Sequence, residues 1–531
     1  MKRLPIGIQN IREILEEGYI YVDKTDYVYD LLHDAKYYFL SRPRRFGKSL
    51  LLDTIAEVFG GDRELFKGLR IYDSDYAFPK HPVIRLDMSN IDNETPEILK
   101  DSLAFELQRR ARIEALAIPT DKPSDLFKAL IEALYKKYNQ KVVVLIDEYD
   151  KPILDHLTEV EAAQANRTVI RGFYGVLKSM DPYLRLTFIT GVSKFTKTSI
   201  FSELNNLTDI TMLADYANIC GVPVEELDMH FHEYIESLSE LDIFQHIDNM
   251  REEILAWYDG YSWDGKTRVL NPFGLLSFFR QKRFSSFWYS SGSPKFLIDM
   301  IKERPELFAE IKDVQMSERS MDTFDVQNIQ AAPLLFQTGY LTVKDVIHRQ
   351  GSSTAYLMEM PNLEVREAFN LHILSELSES EPQFAESAYW SIKDSLESGN
   401  LERMLVTMKS FFASIPYEIH VKHEFYYHSL FYALMSLLGF EPAAEVSVSG
   451  GRIDALLEMA DKVYIIEFKY AHCARDASLE AKQKLFERAL REGAQQLLDR
   501  GYANRYGASG KKIIQAVFAF LGRDDFEMRL I

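Results

Sequence analysis

The sequence predicts an α/β protein in three parts: a parallel sheet in residues 1–210, a mainly helical region in 211–410 and a second α/β domain in 411–531. Three observations indicate this division. Short β-rich runs alternate with helical patterns in the first part, aromatic residues punctuate helical patterns in the second, and the third has the order αβββαβ. The length of 531 residues allows two to four domains.

In the first part, the aliphatic run Val142–Ile146 is typical of a central strand that is buried on both faces. The other predicted strands are Tyr37–Leu40, Val83–Leu86 and Leu184–Thr190, and the predicted helices are Ser49–Phe59, Pro96–Ala117 and Ser124–Tyr138. From residue 205 to 410 the pattern is mainly helical, as in a helical lid or winged-helix-like subdomains.

The third part can be assigned element by element. The predicted order is helix Glu424–Leu438, strands Ala443–Val448, Arg452–Met459 and Lys462–Lys469, helix Leu479–Arg500 and strand Lys512–Leu521. A turn at residues 460–462 makes the second and third strands a hairpin.

Composition and charge exclude several classes of protein. Hydrophobic residues make up 47% of the chain and aromatic residues 13%, which excludes global disorder. The net charge of −18 opposes non-specific binding to polyanions, so contact with nucleic acid requires a local basic surface, such as Arg280–Arg283 or Lys511–Lys512.

Cysteine usage and hydropathy favour a cytoplasmic protein. Cys220 and Cys473 lie far apart, which supports neither a disulfide framework nor a structural zinc site. The N-terminus lacks the apolar core of a signal peptide, and we expect no membrane span.

Residues 42–49 read RPRRFGKS between a predicted strand and a predicted helix, the arrangement of a phosphate-binding loop. Its backbone N–H groups and the following helix N-terminus would face the anion. Lys48 would reach the β- and γ-phosphates, and the Ser49 hydroxyl would ligate Mg²⁺. Arg42 stands where such loops have a glycine, and an ordinary basic turn is the alternative interpretation.

Asp147 and Glu148 follow the central strand, where its carboxyl end should meet the phosphate loop. We expect Asp147 to hold the Mg²⁺ shell and Glu148 to accept a proton from attacking water. A solvated acidic pair is the alternative.

A second candidate site combines Asp454, Glu467 and Lys469 across the predicted hairpin. Residues 467 and 469 share one face of a strand because side chains alternate. Two carboxylates suit Mg²⁺, and the ammonium can act on the attacking water and on developing charge. The alternative is an exposed sheet face with alternating charges. The nearby residues His423, His428, His472 and Cys473 lack zinc-ligand spacing.

The chain resembles bacterial AAA-ATPase-like proteins with a C-terminal PD-(D/E)XK nuclease domain, whose fold is restriction-endonuclease-like. The resemblance rests on YVDKT (21–25), RPRRFGKS, VVVLIDEYDKPI (142–153), the segment 188–211, WYDGYSW and VLNPF (257–273), LLFQTGYLT (334–342), GRIDALLE and YIIEFKY. These motifs cover nearly the whole chain in one order. The family's loop also reads RPRRFGKS, which makes Arg42 a family trait.

The resemblance implies roles for further residues. In the first domain, Ser193 would be a sensor near the γ-phosphate, with a plain loop serine as the alternative. The nucleotide-binding residues would be Arg44, Arg45, Phe46, Gly47, Lys48, Ser49 and Asp147. Arg44 and Arg45 could instead pair with residues 147–148 or an adjoining subunit. Arg167 and Arg171, one helical turn apart on a predicted helix, are candidate arginine fingers, although surface arginines of this kind are far more often solvated.

In the nuclease-like domain, Glu424 would be an additional acidic metal ligand, with a solvated residue at the start of a helix as the alternative. Gln496 would be the superfamily's helix glutamine, with Gln495 as the alternative. Together these residues predict a cytoplasmic enzyme that uses ATP and Mg²⁺ to hydrolyse phosphodiester bonds in nucleic acid, with DNA favoured and a homo-oligomer compatible. The rival interpretation is a nucleotide-dependent switch whose C-terminal domain binds nucleic acid or protein without cutting.

Overall fold

The chain divides into two compact units. Among the described residues, the first unit contains residues 1–290 and 314–365, and the second unit contains the residues from 366 onward. The division falls inside one helix, and the three-part boundaries inferred from sequence stay a prediction. The computed structural model describes residues 1–157, 159–194, 200, 204, 206–290, 314–321, 330–351, 353–378, 382–413, 446–448, 451–453, 455–459, 461–471, 477–501, 503, 506–507, 509–521 and 525–531.

The first unit contains a five-stranded sheet with the order β2-β3-β4-β1-β5, in which every pair is parallel. The predicted aliphatic run Val142–Ile146 is buried along its whole length in this sheet, as the sequence predicts, and the neighbouring strand Leu184–Gly191 is buried except at Arg185. All four predicted strands are confirmed, and each extends one residue further. The strands are β1 (Tyr37–Ser41), β2 (Val83–Asp87), β3 (Val142–Asp147), β4 (Leu184–Gly191) and β5 (Thr208–Asp209).

The predicted helices of this region are confirmed, although one ends early. Helix α4 stops at Ile113 and not at Ala117, because Ala115 has a φ of 51° and Leu116 N–H turns back to the carbonyl of Ala111. The helices are α1 (Ile11–Glu16), α2 (Thr25–His33), α3 (Lys48–Gly60), α4 (Pro96–Ile113), α5 (Pro123–Tyr138), α6 (Lys151–Leu154), α7 (Val160–Tyr174) and α8 (Val176–Ser179).

The middle of the chain is mainly helical, as predicted, and its aromatic side chains form a buried cluster around Phe231, Phe278 and Tyr258. Its helices are α9 (Val224–Ser239), α10 (Met250–Tyr258), α11 (Pro272–Gln281), α12 (Phe287–Ser290), α13 (Glu318–Met321) and α14 (Ala331–Thr338). It also contains strands that the sequence analysis missed: β6 (Val222–Pro223) paired with β7 (Val269–Leu270), and an antiparallel sheet of β8 (Gln315–Ser317), β9 (Thr342–Ile347) and β10 (Ala355–Glu359).

The second unit combines helices with a four-stranded mixed sheet of order β13-β14-β15-β16. The predicted hairpin is confirmed, since β13 and β14 pair antiparallel. Within the predicted strand Arg452–Met459 the described residues form β12, which pairs with β11, and β13, which pairs with β14, while residue 454 between them lies outside the described residues. The strands are β11 (Val446–Val448), β12 (Gly451–Ile453), β13 (Ala455–Glu458), β14 (Lys462–Ala471), β15 (Lys512–Leu521) and β16 (Asp525–Leu530).

The helices of this unit include the predicted Leu479–Arg500, which has the predicted ends. The edge strand β16 was not predicted, and helix Glu424–Leu438 lies outside the described residues. The helices are α15 (Leu363–Ser378), α16 (Pro382–Ser398), α17 (Leu401–Ala413) and α18 (Leu479–Arg500). None of the helices in the described ranges is both long enough and apolar enough to cross a bilayer.

Candidate active sites

The phosphate loop connects β1 to α3, as predicted. Gly47 precedes α3 with a φ of 94°, a left-handed conformation that glycine adopts without strain. Because β1, β3 and β4 run parallel and adjacent, their carboxyl ends meet at one edge of the sheet. That edge carries the phosphate loop, Asp147 and the residues that follow Gly191.

Lys48 is buried and donates two hydrogen bonds to the loop itself. Its Nζ lies 2.9 Å from the carbonyl oxygens of Arg42 and of Pro43. Burial lowers the pKa of Lys48, and the negative charges of Asp147 and Glu148 oppose that shift. The ammonium therefore faces both the loop and the acidic end of β3.

Arg42 explains why this loop departs from the usual glycine pattern. Its side chain is fully buried, and its guanidinium donates to the carbonyls of Ser41 and Thr211 at 2.9 Å and of Tyr216 at 3.3 Å. It also stacks over the Trp263 ring at 3.8 Å. Arg42 is thus an internal anchor of the loop.

Aromatic residues from the middle of the chain pack on the same loop. Phe46 is buried edge-on against Tyr261, with ring centroids 4.7 Å apart. The Trp288 indole donates to the Arg44 carbonyl at 2.9 Å. The exposed Arg45, with a φ of 67°, lies over the ring of Phe273 at 4.8 Å. The motifs WYDGYSW and VLNPF therefore pack against the phosphate loop.

Asp147 and Glu148 differ in environment. Asp147 is buried, and its Oδ1 accepts from Thr190 Oγ1 at 2.6 Å. Glu148 is half-buried with a φ of 50°, a strained conformation for a non-glycine residue. Burial raises the pKa of Glu148, although the Lys48 charge opposes the shift. A raised pKa suits a carboxylate that must accept a proton near neutral pH.

Ser193 follows β4, and Asp150 holds it in place. Asp150 Oδ2 accepts from Ser193 N–H and from Ser193 Oγ, both at 2.6 Å, and from Val192 N–H at 3.0 Å. The Ser193 hydroxyl has one proton, which this bond uses. The sensor role stays a prediction, and it requires the Ser193 hydroxyl to give up its hydrogen bond to Asp150.

Asp150 was missed by the sequence analysis, as was Tyr149, whose hydroxyl donates to the Ser193 carbonyl at 3.1 Å. Burial raises the pKa of Asp150, and its hydrogen bonds from Ser193 oppose the shift. The sequence contains a signal that could have indicated Asp150: it is the third acidic residue in the run DEYD, which stands beside a buried strand.

The remaining site residues predicted for the first domain have less defined surroundings. Ser49 is half-buried at the start of α3, and its carbonyl accepts from Arg85 at 3.3 Å. Arg167 is half-buried and Arg171 is exposed, both on α7. An arginine-finger role for either residue stays a prediction.

The second site is centred on Lys469, which lies between two partners. Its Nζ donates to Glu467 Oε1 at 2.7 Å and to Gln496 Oε1 at 2.7 Å. Glu467 is 1% exposed, whereas Lys469 is half-buried. The structure brings Gln496 to the site, while Gln495 is exposed and donates to Asp499.

Gly493 allows α18 to come close enough for this contact. A Cβ at residue 493 would lie 2.4 Å from Val517 Cγ1 and 3.2 Å from Lys469 Cγ. Gln496 follows one helical turn later, on the same face of the helix. The close approach of helix and sheet therefore positions the glutamine on the lysine.

Several predicted residues lie outside the described part of the chain. They are Asp454, Glu424, His423, His428, His472 and Cys473. Their roles stay predictions.

The fold and sites define a class: an AAA-ATPase-like domain joined to a PD-(D/E)XK nuclease-superfamily domain. A family model described as a predicted AAA-ATPase matches residues 5–201. A model for the PD-(D/E)XK nuclease superfamily matches residues 422–529. Both matches confirm the resemblance noted from the motifs.

A relative extends this match over nearly the whole chain. It is an uncharacterized protein in the vnfD 5′ region of Azotobacter chroococcum mcd 1, 36% identical over 518 residues, which cover 96% of this chain and 95% of the relative. The chain therefore belongs to the family of AAA-ATPase-like proteins that carry a C-terminal PD-(D/E)XK nuclease-superfamily domain.

Solved structures give weaker likenesses. The ORC2 protein of Aeropyrum pernix, in ADPNP and ADP complexes, has a TM-score of 0.27 and 13% identity over 66% of this chain and 93% of its own. A Drosophila ORC bound to GC-rich DNA and Cdc6 has a TM-score of 0.25 and 12% identity over 57% of this chain and 41% of its own.

Proposed function

We propose that this protein binds and hydrolyses ATP at the phosphate loop and hydrolyses phosphodiester bonds in nucleic acid, with DNA favoured, at the Glu467–Lys469 site. The observation that carries the proposal is the Lys469 ammonium held between Glu467 and Gln496. That arrangement joins a buried carboxylate, a cation and an amide in one cluster, on the domain that belongs to the nuclease superfamily.

At the first site, Lys48 would bind the β- and γ-phosphates and Glu148 would accept a proton from water. Lys48 is fixed at the loop by two carbonyls, so its charge is preorganised. The raised pKa of Glu148 matches its proposed task as a base. Asp150 acts as a positioning residue, because it fixes the backbone and hydroxyl of Ser193.

The donor sets fit Mg²⁺ because they offer hard oxygen atoms. Asp147 and Ser49 would hold the ion at the first site, and Glu467 with Asp454 and Glu424 would hold it at the second. Magnesium there supplies Lewis-acid activation of phosphate oxygens. Glu467 is buried in its strand, and the described β13 begins one residue after Asp454.

At the second site, Lys469 would orient the attacking water and neutralise charge that develops on the phosphate. Gln496 accepts one of its protons and therefore fixes the direction of the ammonium. The residues 422–529 contain 15 Lys and Arg against 15 Asp and Glu, so this domain does not share the chain's net charge of −18. A neutral domain repels a polyanion less than the chain average.

The test uses the full-length protein with plasmid, linear and single-stranded substrates, Mg²⁺ or Mn²⁺, and ATP present or absent. Glu467→Gln and Lys469→Ala should each lower cleavage about a hundredfold or more, since loss of a preorganised charge commonly costs about 3 kcal/mol. Both variants should keep ATP hydrolysis at the wild-type rate. Lys48→Ala should abolish ATP hydrolysis, whereas the exposed Lys100→Ala is a control without effect.

Two outcomes contradict the proposal. Unchanged ATP hydrolysis in Lys48→Ala and Glu148→Gln would overturn the first site. Wild-type protein that hydrolyses ATP yet cleaves none of the substrates would favour a nucleotide-dependent switch without nuclease activity.

A further inference from the structure

A cavity of about 110 Å³ lies beside the phosphate loop. This exceeds the ~10–15 Å³ that one water requires. The loop contributes Phe46 and Gly47 to its wall, and the first turn of α3 contributes Leu50 and Leu51. A ligand held by the loop through phosphates could therefore extend directly into this cavity.

The other wall is formed by segments that lie far apart in the sequence. The N-terminal segment contributes apolar residues, the segment around β6 contributes Cys220 and Val222, and the middle helices contribute Phe231 and Leu276. The lining is mostly apolar, which suits the faces of a planar heterocycle.

Lys24 is the one charged residue among the described residues that line this cavity. Within the described ranges, its ammonium has no hydrogen bond or ion pair. Burial lowers the pKa of Lys24 to about 8, and the negative charge of Glu226 opposes that shift. An amine in such surroundings gains more from a hydrogen-bond acceptor than a surface lysine does.

We propose that Lys24 donates a hydrogen bond to the acceptor edge of a purine base that enters this cavity, and so strengthens binding of the base at the phosphate-loop site. This inference rests on the proposed nucleotide binding. An amine only donates, so its proposed partners are N1 or N7 of adenine and N7 or O6 of guanine, and not the N6 amino group of adenine. Lys24 therefore supports purines without favouring adenine over guanine.

The experiment measures binding by calorimetry in Mg²⁺ with ATP, GTP, 7-deaza-ATP, 1-deaza-ATP and tripolyphosphate. Lys24→Met keeps the aliphatic stem and removes the donor. It should weaken ATP binding about tenfold and GTP binding at least as much, because the bond involves a charged donor. Tripolyphosphate has no base, so its affinity should not change.

The deaza analogues identify the contact. The analogue that lacks the contacted nitrogen should bind wild-type protein more weakly, and Lys24→Met should cause no further loss with it. Lys100→Met, on an exposed lysine of α4, is the matched control and should change none of these affinities.

Several results would overturn the inference. They are equal ATP affinity in wild-type and Lys24→Met, equal losses for ATP and tripolyphosphate, or the same Lys24→Met loss with both deaza analogues as with ATP. If wild-type protein binds ATP in a Lys48-dependent manner and any of these occurs, only the role of Lys24 fails. If wild-type protein binds neither ATP nor tripolyphosphate, the proposed ATP site fails as well.

Discussion

The two candidate sites are supported in different ways. The phosphate loop at residues 42–48 contacts Thr211, Tyr261 and Trp288, which lie some 160 to 250 residues later in the chain. The described members of the Glu467–Lys469 site lie within about thirty residues of one another, on one strand and on the helix that follows it. A site held by contacts with distant residues is affected by substitutions throughout its unit. A locally built site is affected mainly by substitutions in its own helix and strand.

The largest effect expected is from Arg42→Met, which tests the distant support of the loop. The change removes the Arg42 donor from the buried carbonyls of Ser41 and Thr211, at about 1–3 kcal/mol each, and also removes the contact with the Trp263 ring, so the free energy of unfolding should fall by about 3 kcal/mol or more. Urea unfolding measures it. Arg44→Met, on an exposed side chain, should stay within about 0.5 kcal/mol. A loss below 1 kcal/mol for Arg42→Met would contradict the prediction that distant contacts of Arg42 stabilise the phosphate loop.

The second effect concerns Glu364, which accepts from Trp288 N–H at 2.6 Å and so supports the residue that contacts the loop. Burial raises the pKa of Glu364 from 4.5 to about 8. Between these two pH values the folded state therefore holds a proton on Glu364 that the unfolded state has released. The stability that Glu364 contributes is fully present below pH 4.5 and is lost as the pH rises toward 8.

Glu364→Gln removes this titration. Between pH 5 and 8, the free energy of unfolding of the wild-type protein should fall by ~3 kcal/mol more than that of the variant. Unfolding experiments at each pH measure this difference. Parallel pH profiles for the two proteins would contradict the prediction.

The third effect tests the local site. Gly493→Ala places a Cβ against Val517 and Lys469, and overpacking of this kind costs about 1–3 kcal/mol. Cleavage should fall while ATP hydrolysis is unchanged. Gly172→Ala in α7, where a Cβ meets nothing within 4 Å, is the matched control and should stabilise by up to about 1 kcal/mol. Equal effects of the two changes would show that the helix approach is not tight.

The smallest effect is expected from Gln496→Ala, which removes one acceptor from Lys469. Cleavage should fall about tenfold, because a hydrogen bond to a charged group is worth about 1.5 kcal/mol or more. Gln495→Ala should have no effect on cleavage rates. A larger loss for Gln495→Ala would reverse the assignment of the two glutamines.

The contrast also explains how much could be predicted from sequence. Strands Val142–Asp147 and Lys462–Ala471 and helix Leu479–Arg500 follow from local periodicity, and each was predicted closely. Gln496 was predicted as a member of the Lys469 site from the resemblance to the PD-(D/E)XK superfamily, and its hydrogen bond to Lys469 distinguishes it from the neighbouring Gln495.

The supports of the phosphate loop could not be predicted in this way. No local pattern indicates that Trp288 donates to Arg44 or that Arg42 is buried over Trp263. Arg42, which stands where such loops have a glycine, looks like a departure from the usual loop pattern until the carbonyls that accept its hydrogen bonds are located. Strand β8 was missed because it pairs with β10, about forty residues later, whereas β9 and β10 form a local hairpin that the sequence analysis did not recognise.

The anchoring of the loop has a thermodynamic consequence. Arg42 and Lys48 hold loop and neighbouring carbonyls in place, so the segment has little conformational freedom to lose when a ligand binds. Binding to wild-type protein should therefore carry only a small entropic penalty from the loop. Loosening the anchor would lower affinity through a less favourable entropy, even though the groups that contact the ligand are the same.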